Sequence, residues 1–94
     1  METELFAWDD EKAAWNLRIH GVSFEEAITV FADPLCRAFY DPDHSVDEDR
    51  HMAIGESSAG GILVVSYTYV GDKIRVISAR EAAPRERRSY EEEC

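Results

Sequence analysis

The chain of 94 residues has only two cysteines, Cys36 and Cys94, with three prolines and five glycines. Two thiols cannot build a disulfide framework, and neither lies in a nucleophile or zinc-ligand spacing, so both read as reduced side chains. No apolar run nears the roughly 18 residues of a membrane span. Met1-Glu2-Thr3-Glu4 is acidic where a secretory leader would be cationic, and the expected location is the cytoplasm. Basic residues are also scarce, with ten Lys and Arg against twenty Asp and Glu, a net charge of −10. Taken alone, that balance argues against an enzyme acting on nucleic acid.

The deficit is unevenly distributed. Residues 73–88 hold Lys73, Arg75, Arg80, Arg85, Arg87 and Arg88 against Glu81 and Glu86, a local charge of +4 that leaves −14 for the rest. The basic segment can dock an anion, and the acidic remainder suits a basic protein partner. A hydrophobic content of 45% with ten aromatics is enough for a packed core, and the length makes one domain, 1–94.

Patterning predicts two helices, four strands and a closing helix. The first helix runs from Asp10 to about Ile19, capped by Asp9 or Asp10 and stopped by Gly21. Ser23-Phe24-Glu25-Glu26 has the form of a capping box opening a helix to about Phe31, which Asp33-Pro34 ends. Strands follow near 37–40, 51–56, 62–70 and 73–80, the last two joined by Gly71-Asp72. Pro84 suits the first turn of a helix to about Glu92. The expected class is α+β in the order ααββββα, an antiparallel four-stranded sheet with helices packed on one face.

Lys12, Asn16 and His20 are spaced four apart and align on the first helix, beside an apolar stripe of Ala13, Leu17 and Phe24. A lysine can neutralise a phosphate and an imidazole can move protons near pH 7. The structural alternative is that His20 caps a helix end and Asn16 bonds a neighbouring loop. Trp8, Trp15 and Tyr90 read as packing side chains. The loop from Asp41 to Asp49 alternates oxygen ligands but has Val46 and Met52 where a calcium loop needs glycine and glutamate. It reads as a solvated loop or an anionic face for a partner, and no metal is expected.

Phe6-Ala7-Trp8-Asp9, the run Asn16-Leu17-Arg18-Ile19-His20-Gly21-Val22-Ser23-Phe24, and Ile74-Arg75-Val76-Ile77-Ser78-Ala79-Arg80 with Glu86-Arg87 and Tyr90 together carry a resemblance. The chain resembles the BrnT-type toxins of type II toxin–antitoxin systems, which have a RelE-like ribonuclease fold. The matching motif is usually written Lys-His-Gly, and here Ile19 replaces the lysine. The resemblance implies an endoribonuclease that inhibits translation without a metal or cofactor. It also implies neutralisation by a ribbon-helix-helix antitoxin, whose complex with the toxin binds operator DNA.

Metal-free RNA cleavage needs a base for the 2′-hydroxyl, cations for the phosphorane and an acid for the leaving oxygen. By resemblance His20, Arg50 and Arg80 are the catalytic candidates, and Lys12, Arg75 and Arg87 would hold RNA phosphates. Arginine suits phosphate because its planar fork grips two oxygens and keeps its charge. Arg75 and Arg80 are five positions apart, so a regular strand points them to opposite faces unless a bulge intervenes. Arg80 and Arg87 could instead pair with Glu81 or Glu86 and tie down the last helix. The rival reading is a non-catalytic partner-binding and repression module, which Ile19 and the net negative charge favour. Self-association is left open by the sequence.

Overall fold

A computed structural model describes residues 1–92, so Cys94 lies outside the described residues. The elements are β1 (Phe6–Ala7), α1 (Asp10–His20), α2 (Phe24–Ala27), a 3₁₀ segment Ile28–Ala32, β2 (Arg37–Tyr40), a 3₁₀ turn Pro42–His44, β3 (His51–Glu56), β4 (Ile62–Val70), β5 (Lys73–Glu81) and α3 (Pro84–Glu92).

Local chemistry sets the helix ends. Asp9 accepts from the Lys12 N–H and caps α1. Gly21 takes φ 72°, the left-handed position that ends it, and donates its N–H to the Leu17 carbonyl. Ser23 caps α2 by accepting from Glu26 N–H. Only half of the expected capping box forms, because the Glu26 carboxylate accepts from Ser57 Oγ at 2.7 Å instead. The second helix is accordingly one α-turn that tightens into a 3₁₀ segment.

The sheet corrects the sequence expectation twice. Among the described residues it has five strands, in the order β1-β5-β4-β3-β2, and β1 runs parallel to β5 through Phe6↔Ile74 and Ala7↔Arg75. Two residues are too few to show a strand period, and Phe6-Ala7 reads as a lead-in to α1. The helices also cover both faces. On one face α1, α2 and the 3₁₀ segment bury Trp8, Phe24, Ala27 and Val30 against Ala53, Leu63, Val65, Tyr67, Val76 and Ala79. On the other, α3 sets Tyr90 against Ile54 and Val64, with Phe39, Met52, Ile62 and Ala82 around it.

Close approach on the first face depends on Gly55. A Cβ there would meet Val30 Cγ1 at 2.8 Å and Asp33 Oδ2 at 3.2 Å. Asp33 is the knot between the two layers: its carboxylate accepts from Glu56 N–H, Leu35 N–H and the Tyr90 hydroxyl. Desolvation works against that charge, but the bonds from Glu56, Tyr90 and Leu35 together hold the Asp33 carboxyl below its ordinary value.

Two packing expectations fail on α1. Leu17 is 52% exposed and Trp15 61% exposed, while polar Asn16 is buried. Trp15 lies on the surface with the Arg18 guanidinium 5.7 Å from its ring. Trp8 is buried edge-on against Phe24, and Tyr90 is buried, as expected. Cys36 is a half-buried free thiol, pushed up in pKa by burial and by Asp33.

Candidate functional site

The half of the second face that α3 leaves bare carries a cavity. Arg50, Met52, Ser66, Ile77, Ser78 and Arg80, with Asp41 and His44 from the loop, line about 230 Å³. Strand alternation explains the set. Arg50 immediately precedes β3 and shares parity with Met52 and Ile54. Ser66 pairs with Ser78, and Val64 with Arg80, on the same face.

A bulge settles the question of Arg75 and Arg80. The β4–β5 register shifts between Ser66 and Tyr67, pairing Ser66 with Ser78 but Tyr67 with Val76, so Ile77 is the extra residue. That insertion offsets the odd spacing. Arg75, paired with Thr68, therefore points to the same face as Arg80, paired with Val64. Ile77 also borders a second cavity of about 330 Å³, lined by Asp9, Lys12, Arg75 and Val76. The two cavities adjoin at the bulge.

The guanidinium groups differ in their commitments. Arg80 is held bidentate by Glu86, at 2.7 and 2.8 Å, and also donates to the Glu81 carbonyl at 3.3 Å. The Glu86 bond raises Arg80 above its usual value and holds the Glu86 carboxyl below the usual carboxylate range, with burial opposing both shifts. Glu86 further accepts from the Ala83 N–H at 2.8 Å, so the same carboxylate starts α3. The pairing with Glu86 anticipated for Arg80 thus exists, and Arg80 lines the cavity as well.

Arg50 is the unsatisfied one. Its Nε is buried with no hydrogen-bond partner among the described residues. Glu48 Oε1 lies 3.5 Å away, close enough for Coulomb attraction but not aligned for a hydrogen bond. The same oxygen accepts from Arg75 Nη2 at 2.9 Å. One carboxylate of the acidic loop thus stands between two arginines. A buried N–H without an aligned acceptor costs on the order of 1–3 kcal/mol.

The remaining candidates lie outside the Arg50–Arg80 cavity. Lys12 lines the second one. His20 is exposed at the end of α1 and lines neither. Arg87 is 57% exposed on α3 and pairs with Glu91 at 3.3 Å. Asn16 is structural: its amide donates to the Val22 and Ala79 carbonyls at 2.9 and 2.8 Å and accepts from Ala79 N–H at 3.1 Å. It stands in for a neighbouring strand along the edge of β5 that β1 does not reach.

Among the cavity residues that were not site candidates in the sequence, Asp41 and His44 carry titratable side chains. His44 Nδ1 lies 2.8 Å from Asp41 Oδ2. The signal was present as an Asp three positions before a His around Pro42, but the loop reads as a failed calcium site. Among the described residues, no group of three or more His, Cys, Asp or Glu is placed to hold a metal ion. No described helix is long and apolar enough to cross a membrane.

Residues 8–86 match the model of a family described as ribonuclease toxin, BrnT, of type II toxin–antitoxin system. The chain is also similar to the ribonuclease toxin BrnT of Brucella abortus, whose crystal structure was solved at 1.1 Å. Identity is 31% at a TM-score of 0.63, over 86% of this chain and 99% of that one. No curated protein sequence matched.

Proposed function

Because this chain belongs to the BrnT family of ribonuclease toxins of type II toxin–antitoxin systems, we propose that it is a metal-independent endoribonuclease centred on Arg50 and Arg80. The observation that carries this reading is the cavity that Arg50 shares with Arg80, in which the buried Arg50 Nε has Glu48 at 3.5 Å but no hydrogen-bond acceptor among the described residues. Two guanidinium groups on one sheet face can bind the non-bridging oxygens of a phosphate and stabilise the charge added in the phosphorane. Glu86 holds Arg80 in place through one edge. Three bonds engage its two terminal nitrogens, which leaves donors of the five-N–H fork for substrate. Arg75 and Lys12 in the adjoining cavity continue the cationic track toward a flanking phosphate. His20, one helical turn past Asn16, and Arg87 on α3 lie farther out and contact RNA beyond the scissile bond.

Cleavage of messenger RNA in the cytoplasm would halt translation, so the activity requires an antidote. A ribbon-helix-helix antitoxin with a basic segment fits the −14 charge outside residues 73–88, and operator DNA would be reached only through that partner. The acidic loop then has a direct part, because Glu48 already engages the arginines that substrate must reach.

That same pairing supports a second reading, a partner-binding module whose arginines stay locked by Glu48 and Glu86. Cleavage of a long RNA by the purified chain in chelator, beside Arg50→Ala, separates the two. The proposal expects chelator-resistant cleavage that falls on the order of 10²–10³-fold in the variant, the range for losing one oxyanion-type donor. A folded chain that cuts neither free nor ribosome-bound RNA would leave the binding module.

A further inference from the structure

We infer that His44, oriented by Asp41, is the proton-transfer residue of the Arg50–Arg80 cavity. The inference rests on the ribonuclease reading and assigns the one role that arginines cannot fill, since a guanidinium does not give up its proton in the working pH range. Among the described residues, His44 is the only imidazole lining this cavity. His51 belongs to the other face of the sheet, stacked on Tyr67 at 5.5 Å.

The geometry selects one tautomer. An ionised Asp41 can only accept, so with a neutral ring the 2.8 Å contact calls for the tautomer that carries its proton on Nδ1. Nε2 is then the lone-pair nitrogen. The His44 side chain is 68% exposed and open to substrate, whereas the Asp41 carboxylate is only 14% exposed. This is a base held by a fixed second group.

Backbone bonds tie the pair to the arginine. Asp41 N–H donates to the Arg50 carbonyl at 2.8 Å. Ser45 Oγ donates to the Asp41 carbonyl and accepts from Arg50 N–H at 2.9 Å. Asp41 Oδ1 also accepts from Asp43 N–H at 3.2 Å, fixing the carboxylate. The loop that carries the imidazole is therefore anchored to the residue that would grip the phosphate.

In the reaction His44 Nε2 takes the proton of the ribose 2′-hydroxyl, and that oxygen attacks phosphorus while Arg50 and Arg80 hold the non-bridging oxygens. The bond to the 5′-oxygen breaks. The leaving oxygen takes a proton from water, and the resulting hydroxide recovers the proton from His44. Products are a 2′,3′-cyclic phosphate and a 5′-hydroxyl, with no net consumption of water or redox partner. His44→Ala should cut a long mixed-sequence RNA on the order of 10²–10⁴-fold more slowly, the span of general acid–base effects. Its affinity for a 2′-O-methyl oligonucleotide, which has no proton to give, should be unchanged. Asp41→Asn should lose less, and ¹⁵N spectra of His44 should show the ring shifting from Nδ1–H toward Nε2–H.

Full cleavage by His44→Ala, a loss confined to His20→Ala, or equal losses in cleavage and 2′-O-methyl binding would each overturn the assignment. In those cases the ribonuclease reading stands on the activity of the unmodified chain. No cleavage by the unmodified chain, on free or ribosome-bound RNA, removes both.

Discussion

Asn16 shows how much one buried amide can decide. It sits at the core border and satisfies both backbone groups of Ala79, so Asn16→Ala would leave an N–H and a carbonyl unpaired at a sheet edge. The expected loss is about 2–4 kcal/mol, from hydrogen bonds worth roughly 1 kcal/mol each plus the desolvated remainder. Urea unfolding monitored through the buried Trp8 would measure it. Gly55→Ala tests a different term. The added methyl meets Val30 Cγ1, and the cost is that of overpacking, about 1–3 kcal/mol, visible in the same transition. Neither substitution alters a residue of the Arg50–Arg80 cavity, so both should leave that cavity intact in whatever fraction folds.

At the scale of elements, α3 is held to the sheet by a polar bond at each end. Tyr90 donates to Asp33 near its C-terminal end, and Arg80 pairs with Glu86 near its start. Tyr90→Phe keeps the ring in its apolar site and removes one charge-assisted bond, at a cost of about 1.5–3 kcal/mol. Both carboxylates, Glu86 and Asp33, have lowered folded-state pKa values. A depressed carboxyl contributes stability that is present above its unfolded value, near 4, and lost as the pH falls through its folded value. The stability these two carboxylates contribute should therefore be constant above about pH 5 and be lost on acidification. Glu86→Gln should flatten part of that acid limb in pH-dependent thermal melts. The β5 bulge is the other element with functional weight, because without Ile77 as an extra residue Arg75 would leave the cationic face.

For the whole molecule the telling quantity is the mismatch between a net charge of −10 and a local cluster of arginines. Equilibrium binding of single-stranded RNA should weaken with salt at a shallow slope, roughly two to three phosphates at about −0.7 each. The association rate should behave differently. Long-range repulsion between RNA and an acidic protein is screened by salt, so kon should stay level or rise while koff rises faster. Stopped-flow binding of 2′-O-methyl RNA between low and moderate salt would test this. A kon that falls steeply would mean that docking is not confined to the Arg50–Arg80 face. Under the proposed function the acidic remainder would serve a basic segment of the antitoxin, which would experience the attraction that RNA lacks.

Features set by short-range chemistry were determined by the sequence alone: Gly21 and Ser23 as helix boundaries, an aspartate cap at position 9 or 10, the four longer strands, and Tyr90 as a core residue. The family was legible too, since its pattern spans most of the chain. β1 was not, because two residues cannot show a period and their pairing with Ile74 and Arg75 is non-local. Nor could the sequence place α3 on the opposite face, which depends on how the apolar sides of β3 and β4 divide between two layers. The site divides the same way. Arginine-rich β5 was legible, but which arginines share a face depended on a bulge that exists only in the pairing of β4 with β5. His44 entered the cavity only because the loop from Asp41 to Arg50 folds back on itself through Ser45. Residue type fixes what a side chain can do, whereas register and loop closure fix which side chains meet.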